Sequence, residues 1–270
     1  MNATPGELGD YSAQLARGAA DLVREHVAAH VARDEALAVD SKSTSTDLVT
    51  DVDRASERWL VEQITHDRPD DAVLGEEGGG RPGTSGVRWV LDPIDGTVNF
   101  VLGLPQYAVS VAAEIDDTYV AGAVCNPVSG ELFTATLGGG AWLGEQRLNG
   151  PRPIDLSRAV IGTGFAYDRA LRRRQGAVAA DLLPRVADIR RLGSAALDLC
   201  AVAAGRLDGY YETGLNPWDY GAGALIAAEA GCVVSGLRGR PISGRMAAVA
   251  GADLATELFE LLEELRADEV

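Results

Sequence analysis

Between residues 106 and 137 the apolar pattern of this chain takes a period of two. The segments QYAVSVAAEI, YVAGAVCNP and ELFTATL are separated by turn signals at Asp116-Asp117 and from Asn126 to Gly130. Alternation of this kind suits strands, and short turns make neighbouring strands antiparallel. The segment is therefore a meander whose apolar face must be covered. Helices supply the cover. Leu15, Ala19, Leu22, Val23, Val27 and Val31 recur at spacings of three and four within a helix expected over 10–38. Thr50 is placed to cap a second helix running to about His66. Asp51 and Asp53 fall in its first turn, where the macrodipole favours acids, and Leu60 and Ile64 face inward.

The second half mixes short strands (AVIGTGF, DGYYE, GCVVS, MAAVAG) with helices expected near 168–183, 194–204, 218–230 and 253–267. The first of these helices should stop before Pro184. The order of elements is helices, a sheet, helices, then a second sheet. It predicts a layered α/β architecture with two tightly docked subdomains, 1–150 and 151–270.

With 24 Lys and Arg against 40 Asp and Glu among 270 residues, the net charge is −16. Such a surface repels phosphate backbones, which argues against direct nucleic-acid binding. Cys125, Cys200 and Cys232 are too far apart for a C-x-x-C site and are expected as reduced core thiols. His26 and His30 have the i, i+4 spacing of a zinc pair but lack the H-E-x-x-H order, so a solvated helix face is expected. The first residues carry neither a basic start nor an apolar run, and no stretch has membrane-spanning length. A cytoplasmic location is the expectation.

The chemistry concentrates at strand ends. WVLDPIDGT delivers Asp92 at the end of an apolar strand over 87–91. Pro93 stiffens the exit, and Asp95 follows one turn later. Gly96 and Thr97 then open a short helix whose unpaired N–H groups would favour a phosphate. Two acids beside an anion repel it unless a cation lies between, and magnesium, a hard ion taken by carboxylates and carbonyls, fits. LGEEG at 74–78 again ends a short strand (72–75) in acids, and Asn216-Pro217-Trp218-Asp219 puts an acid before an apolar helix. On these residues alone, each acid also reads as an ordinary turn or capping residue. Trp218 reads as core packing.

Taken together the segments resemble the inositol monophosphatase family, closest to its bacterial SuhB-type branch. The matching pieces are Lys42 before DLVTDVD, GEE at 75–77, WVLDPIDGTVNF at 89–100, RRLGSAALDLCAVAAGRLDGYYE and WDYGAGALIAAEAG at 218–231. The likeness covers nearly the whole chain. It implies an alternating α/β/α/β/α sandwich, usually a homodimer, that releases phosphate from a sugar or inositol monophosphate with two or three Mg2+ ions. Mn2+ would substitute for Mg2+, and Li+ would inhibit. By motif position, Glu76, Asp92 and the Ile94 carbonyl would hold one ion, and Asp92, Asp95 and Asp219 a second. A weaker third ion would sit near Glu76. Thr97 and Asp53 would orient and deprotonate the attacking water, so Thr97, Asp53, Glu76 and Asp92 form the implied catalytic set.

Substrate contacts are implied for Asp95, Gly96, Thr97, Gly193, Ser194, Ala195, Glu212 and Asp219, with Lys42 on a mobile loop over the metals. Gly193-Ser194 at a helix start reads equally as a cap. Val98 stands where the family more commonly has Thr, and Asp51 adds an acid before Asp53. The same chemistry would serve fructose 1,6-bisphosphate, histidinol phosphate or a 3'-phosphoadenosine nucleotide. A protein partner in the transcription machinery, as for some SuhB-type proteins, is a further reading.

Overall fold

The computed structural model describes residues 3–33, 39–41 and 48–269. Helix α1 (Pro5–Arg33) begins earlier than the apolar periodicity indicates. The reason is a cap: Thr4 Oγ1 accepts from the Glu7 N–H, and Glu7 Oε2 accepts from the Thr4 N–H at 2.8 Å. The signal T-P-G-E was in the sequence, with Pro5 at the first helical position, where it is pre-organised. A ribbon of β1 (Val39–Ser41) and β2 (Leu48–Thr50) follows. Thr50 then caps α2 (Asp51–Asp67) as expected. Lys42 lies outside the described residues.

Seven strands form the first sheet, in chain order: β3 (Ala72–Gly75), β4 (Val87–Asp95), β5 (Ala108–Ile115), β6 (Thr118–Cys125), β7 (Leu132–Thr136), β8 (Gly140–Leu143) and β9 (Gln146–Arg147). The expected meander is its centre, and the last two strands extend it. A one-turn helix α3 (Thr97–Val101) links β4 to β5. The second sheet has the order β11-β10-β12-β14-β13. It contains β10 (Val160–Thr163), β11 (Asp188–Arg190), β12 (Gly209–Glu212), β13 (Val233–Ser235) and β14 (Ala247–Ala250). Strand β11 was not legible in the sequence, because Asp188, Ile189 and Arg190 form an edge with no alternating pattern long enough to register. Helices α4 (Arg169–Leu182), α5 (Ala195–Ala203), α6 (Pro217–Glu229) and α7 (Ala252–Glu264) complete the chain. Residue 150 lies in the connection between β9, the last strand of the first sheet, and β10, the first strand of the second.

The layers alternate α/β/α/β/α. On one face of the seven-stranded sheet, α1 and α2 bury Leu8, Leu15, Leu60 and Ile64 against Trp89, Leu91 and Val111. Helices α5 and α6 fill the space between the sheets, where Ala196, Leu199, Ala222 and Ile226 meet Val124, Phe133, Tyr210 and Val249 in one cluster. Beyond the second sheet, α4 and α7 pack Val178, Leu182, Leu254 and Leu258 on Ile161 and Ala248. The period of two decides the sides of β12, with Tyr210 facing the central layer and Tyr211 the outer one.

Small residues let the central layer lie close. A Cβ on Gly223 would sit 2.8 Å from Leu199 Cβ, and one on Gly122 would sit 3.0 Å from Ala222 Cα. Helix α6 therefore nests against both β6 and α5, which carries its first turn down onto the ends of β4 and β5. The three cysteines are buried and unpaired. Burial pushes the Cys125 thiol up to about 11 and that of Cys232 up to about 12.

Candidate active site

The floor of the site is a bulge. Strands β4 and β5 pair Asp92 with Ser110 and then Asp95 with Ala108, so one extra residue enters β4 between the two acids. Residues three apart on a regular strand point to opposite faces; the extra residue brings both onto one face. Pro93, without an N–H, sits where the ladder breaks. The sequence led us to expect the strand to end at Asp92 and Asp95 to follow after a turn. Instead the strand continues through Asp95. Asp92 Oδ1 accepts from the Ile94 N–H at 3.0 Å, fixing that carboxylate across the bulge.

Three further elements converge there. Glu76 follows β3, which runs parallel to β4, and its N–H donates to the Leu91 carbonyl at 3.2 Å, beside Asp92. Its negative charge faces that of Asp92 and helps to raise the proton affinity there. Asp219, in the first turn of α6, accepts from the Asn216 N–H at 2.6 Å. Asp53, fully buried on α2, accepts from Thr97 Oγ1 at 3.2 Å, and the same hydroxyl lies 3.1 Å from the Ile94 carbonyl. A second oxygen of Asp53 accepts from the Thr50 N–H at 2.8 Å. Asp51 turns away toward His30, 3.8 Å distant.

The opposite wall comes from the second half of the chain. Ser194 caps α5, and its hydroxyl donates to Asp95 Oδ2 at 2.6 Å. The Ala196 N–H donates to the same oxygen at 2.7 Å. Of the two readings open for Ser194, capping is realised, and its hydroxyl also anchors Asp95. Gly96 has φ of +97°, and a Cβ there would meet the carbonyls of Gln106 and Gly193 at 3.0 Å. Gly193, with φ of +93°, leaves no space for a Cβ against Arg191 and Asn99. Both glycines are required where the two halves touch.

Gly96, Thr97, Ile94, Gly193, Ala195, Glu212 and the acids Glu76, Asp92, Asp95 and Asp219 line one cleft of about 280 Å³. Trp218 packs against the central core and also lines this cleft, so core packing describes half of its role.

Several contributors carried no motif in the sequence. Glu57, one helical turn beyond Asp53, accepts from the N–H groups of Glu77 at 2.8 Å and Gly79 at 2.7 Å, and so holds the loop that presents Glu76. Arg191 is the one cationic side chain lining the cleft among the described residues. Asp198, buried on α5, faces the charges of Glu212, Asp95 and Arg191. The one-turn spacing from Asp53 could have flagged Glu57; the other two depend on the packing of α5 against β12.

Collecting acids in a buried place raises their proton affinity. Burial, then the charges of Glu76, Asp95 and Asp219, push Asp92 well above the usual carboxylate range. Burial drives Asp95 up to about 6, against the pull of the Ser194 and Ala196 donors. Asp219 and Asp53 rise chiefly through burial as well, and Glu212 is pushed up to about 7. A cation reverses this, because it lets neighbouring carboxylates ionise together. Asp92, Asp95 and Asp219 each offer an oxygen, and the three lie within 4.8 Å of one another. Hard oxygens in that arrangement fit a hard divalent ion.

A cleft of oxygen donors at the strand and helix ends of an α/β/α/β/α sandwich fits a metal-dependent hydrolase. The inositol monophosphatase family model matches residues 7–267, and this chain belongs to that family of phosphatases. It is 53% identical over 225 residues to an inositol-1-monophosphatase of Mycobacterium leprae, covering 80% of this chain and 77% of the relative. Over 205 residues it is 43% identical to the Nus factor SuhB of Escherichia coli, covering 74% and 75%. The solved structure of Mycobacterium tuberculosis SuhB superposes with a TM-score of 0.80 at 41% identity, covering 98% of each chain.

Proposed function

We propose that this chain is a magnesium-dependent phosphatase that releases inorganic phosphate from myo-inositol 1-phosphate. The observation that carries the reading is Glu212, a carboxylate on the wall of a cleft whose floor is Asp92, Asp95 and Asp219. The floor suits the phosphate end of a substrate, and the wall suits an alcohol rich in hydroxyl groups.

Glu76, Asp92, the Ile94 carbonyl, Asp95 and Asp219 would hold two Mg2+ ions, with a third near Glu76. When bound, such ions acidify a water and neutralise charge on the attacking and leaving oxygens. Thr97 Oγ1 donates to Asp53, and Thr97 lines the cleft. A water approaching that hydroxyl passes a proton to Thr97 as Thr97 passes its own to Asp53. Burial has already raised the proton affinity of Asp53 toward the working range of a general base. The water oxygen bonds to phosphorus, the ester P–O bond breaks, and the alcohol leaves on the Glu212 side after taking a proton from solvent. Gly96, Thr97, Gly193 and Ala195 border the phosphate and ring, and Ser194 acts by holding Asp95. No side-chain nucleophile is required.

Phosphate release from myo-inositol 1-phosphate with Mg2+ tests the reading, with a chelated control. No release above the control by folded protein overturns it. Replacement by Mn2+ should support turnover, and Li+ should inhibit. A panel with fructose 1,6-bisphosphate, histidinol phosphate and a 3'-phosphoadenosine nucleotide, ranked by kcat/KM, decides the ester.

A homodimer is part of the same reading. Leu102 is 67% exposed, Leu104 47% and Val128 54%, and the Asn126 amide joins their loops by donating to the Pro105 carbonyl at 3.1 Å. Light scattering that gives a monomer mass removes it. A cytoplasmic location belongs to the same reading, and no helix among the described residues is long and apolar enough to cross a membrane. The likeness to a Nus factor supports a second reading, a protein partner in the transcription machinery without direct nucleic-acid contact. Pull-down with RNA polymerase and elongation factors tests it, and absence of a complex removes it.

A further inference from the structure

Glu212 does not stand free in the cleft. It ends β12, the middle strand of the five-stranded sheet, and its side chain shares a face with that of Tyr210, two residues earlier. Tyr210 is fully buried, and its phenol donates to Glu212 Oε2. From the neighbouring strand, Gly164 closes the other side. It follows β10, whose Thr163 pairs with Tyr211 in the parallel register and donates its hydroxyl to the Tyr211 carbonyl at 2.9 Å. A Cβ on Gly164 would lie 1.9 Å from Glu212 Oε2, 2.1 Å from Cδ and 2.2 Å from Oε1. The carboxylate therefore rests against the bare backbone of Gly164.

The backbone of Gly164 does not demand glycine, since its φ is not in the left-handed region. Space for a carboxylate is what the position supplies.

We propose that Tyr210 and Gly164 are positioning residues that fix the Glu212 carboxylate as an acceptor for polyol hydroxyls, and so set the pocket's preference for polyhydroxylated phosphate esters. The inference rests on the proposed inositol phosphatase reading and extends it from the residue that receives the polyol to those that aim it. A buried phenol holding one oxygen leaves the other to the substrate. A carboxylate seated on a backbone cannot swing aside to admit a bulkier, hydroxyl-free alcohol. Burial of Glu212 raises its proton affinity, and the phenol's donation opposes that rise.

The test compares myo-inositol 1-phosphate with p-nitrophenyl phosphate, whose leaving group bears no hydroxyl beyond the ester oxygen. The selectivity is the ratio of the two kcat/KM values. Tyr210→Phe and Gly164→Ala should each lower it about tenfold, through KM for the inositol ester, as expected for a lost or misdirected hydrogen bond to a charged group. Glu212→Gln gives the reference loss, and Tyr210→Phe combined with Glu212→Gln should be no worse than Glu212→Gln alone. A merely structural role would lower both substrates together and leave the ratio unchanged. If Glu212→Gln lowers the ratio while Tyr210→Phe and Gly164→Ala, shown folded by circular dichroism, do not, the inference fails and the substrate reading stands. Should wild-type enzyme show no preference for the inositol ester, both are overturned.

Discussion

Ser110 Oγ donates to the Trp218 carbonyl at 3.1 Å. Ser110 pairs with Asp92 across the first sheet, and Trp218 precedes Asp219. One buried hydroxyl thus sets the spacing of two acids 127 residues apart in sequence, counted from Asp92 to Asp219. Ser110→Ala should weaken metal binding about tenfold, the effect of losing a hydrogen bond that orients a ligand, while phosphate release at saturating metal changes less. Calorimetric titration with Mg2+ checks this; unchanged affinity would show that α6 holds Asp219 without the strand.

The pair of Thr97 and Asp53 is expected to act on the attacking water. Asp53→Asn keeps a hydrogen-bond acceptor for Thr97 but removes the base. Turnover should fall by roughly a hundredfold to ten-thousandfold, the range of general-base catalysis, with the folded state retained. Steady-state assays at saturating Mg2+ and substrate measure it, and a loss below about threefold would reassign the base.

Asp92 lies at the meeting point of Glu76, Asp95 and Asp219. Asp92→Asn should cost on the order of a thousandfold in rate, about 4 kcal/mol of transition-state stabilisation. The same variant should be at least as stable as wild type without metal, because it removes an acid that burial and three neighbours disfavour in its charged form. Thermal melts in a chelator test the second half. A marked loss of stability there would mean that Asp92 supports the fold rather than a cation.

The acids of the floor also predict how stability depends on pH. Asp95 is raised to about 6, and Asp92, Asp219 and Asp53 are raised as well, whereas unfolded Asp titrates near 4. Between these values the folded state binds more protons than the unfolded state. The stabilising effect of those protons is present at low pH and is lost as pH rises from about 4 through about 6. Metal must displace the same protons, so the gain in Tm from millimolar Mg2+ should be larger at pH 7.5 than at pH 5. Scanning fluorimetry with and without Mg2+ at both values decides, and an equal gain would separate the acids from metal binding.

What the sequence determined is local. The period of two between 106 and 137, the Thr50 cap, the acids after β3 and within β4, and the Asn-Pro-Trp-Asp start of α6 follow from neighbouring residues, because periodicity, capping and turn chemistry act over a few positions. Resemblance extended this to the sandwich and to a candidate set of site residues. Only the folded chain decided the rest. The bulge that turns Asp92 and Asp95 to one face depends on the register of β5. The support of Glu57 for the Glu76 loop, and the seat of Glu212 on the backbone of Gly164, are contacts across elements. A hydrogen bond or a steric limit between residues distant in sequence leaves no periodic trace in the chain, so it emerges only when packing fixes which surfaces meet.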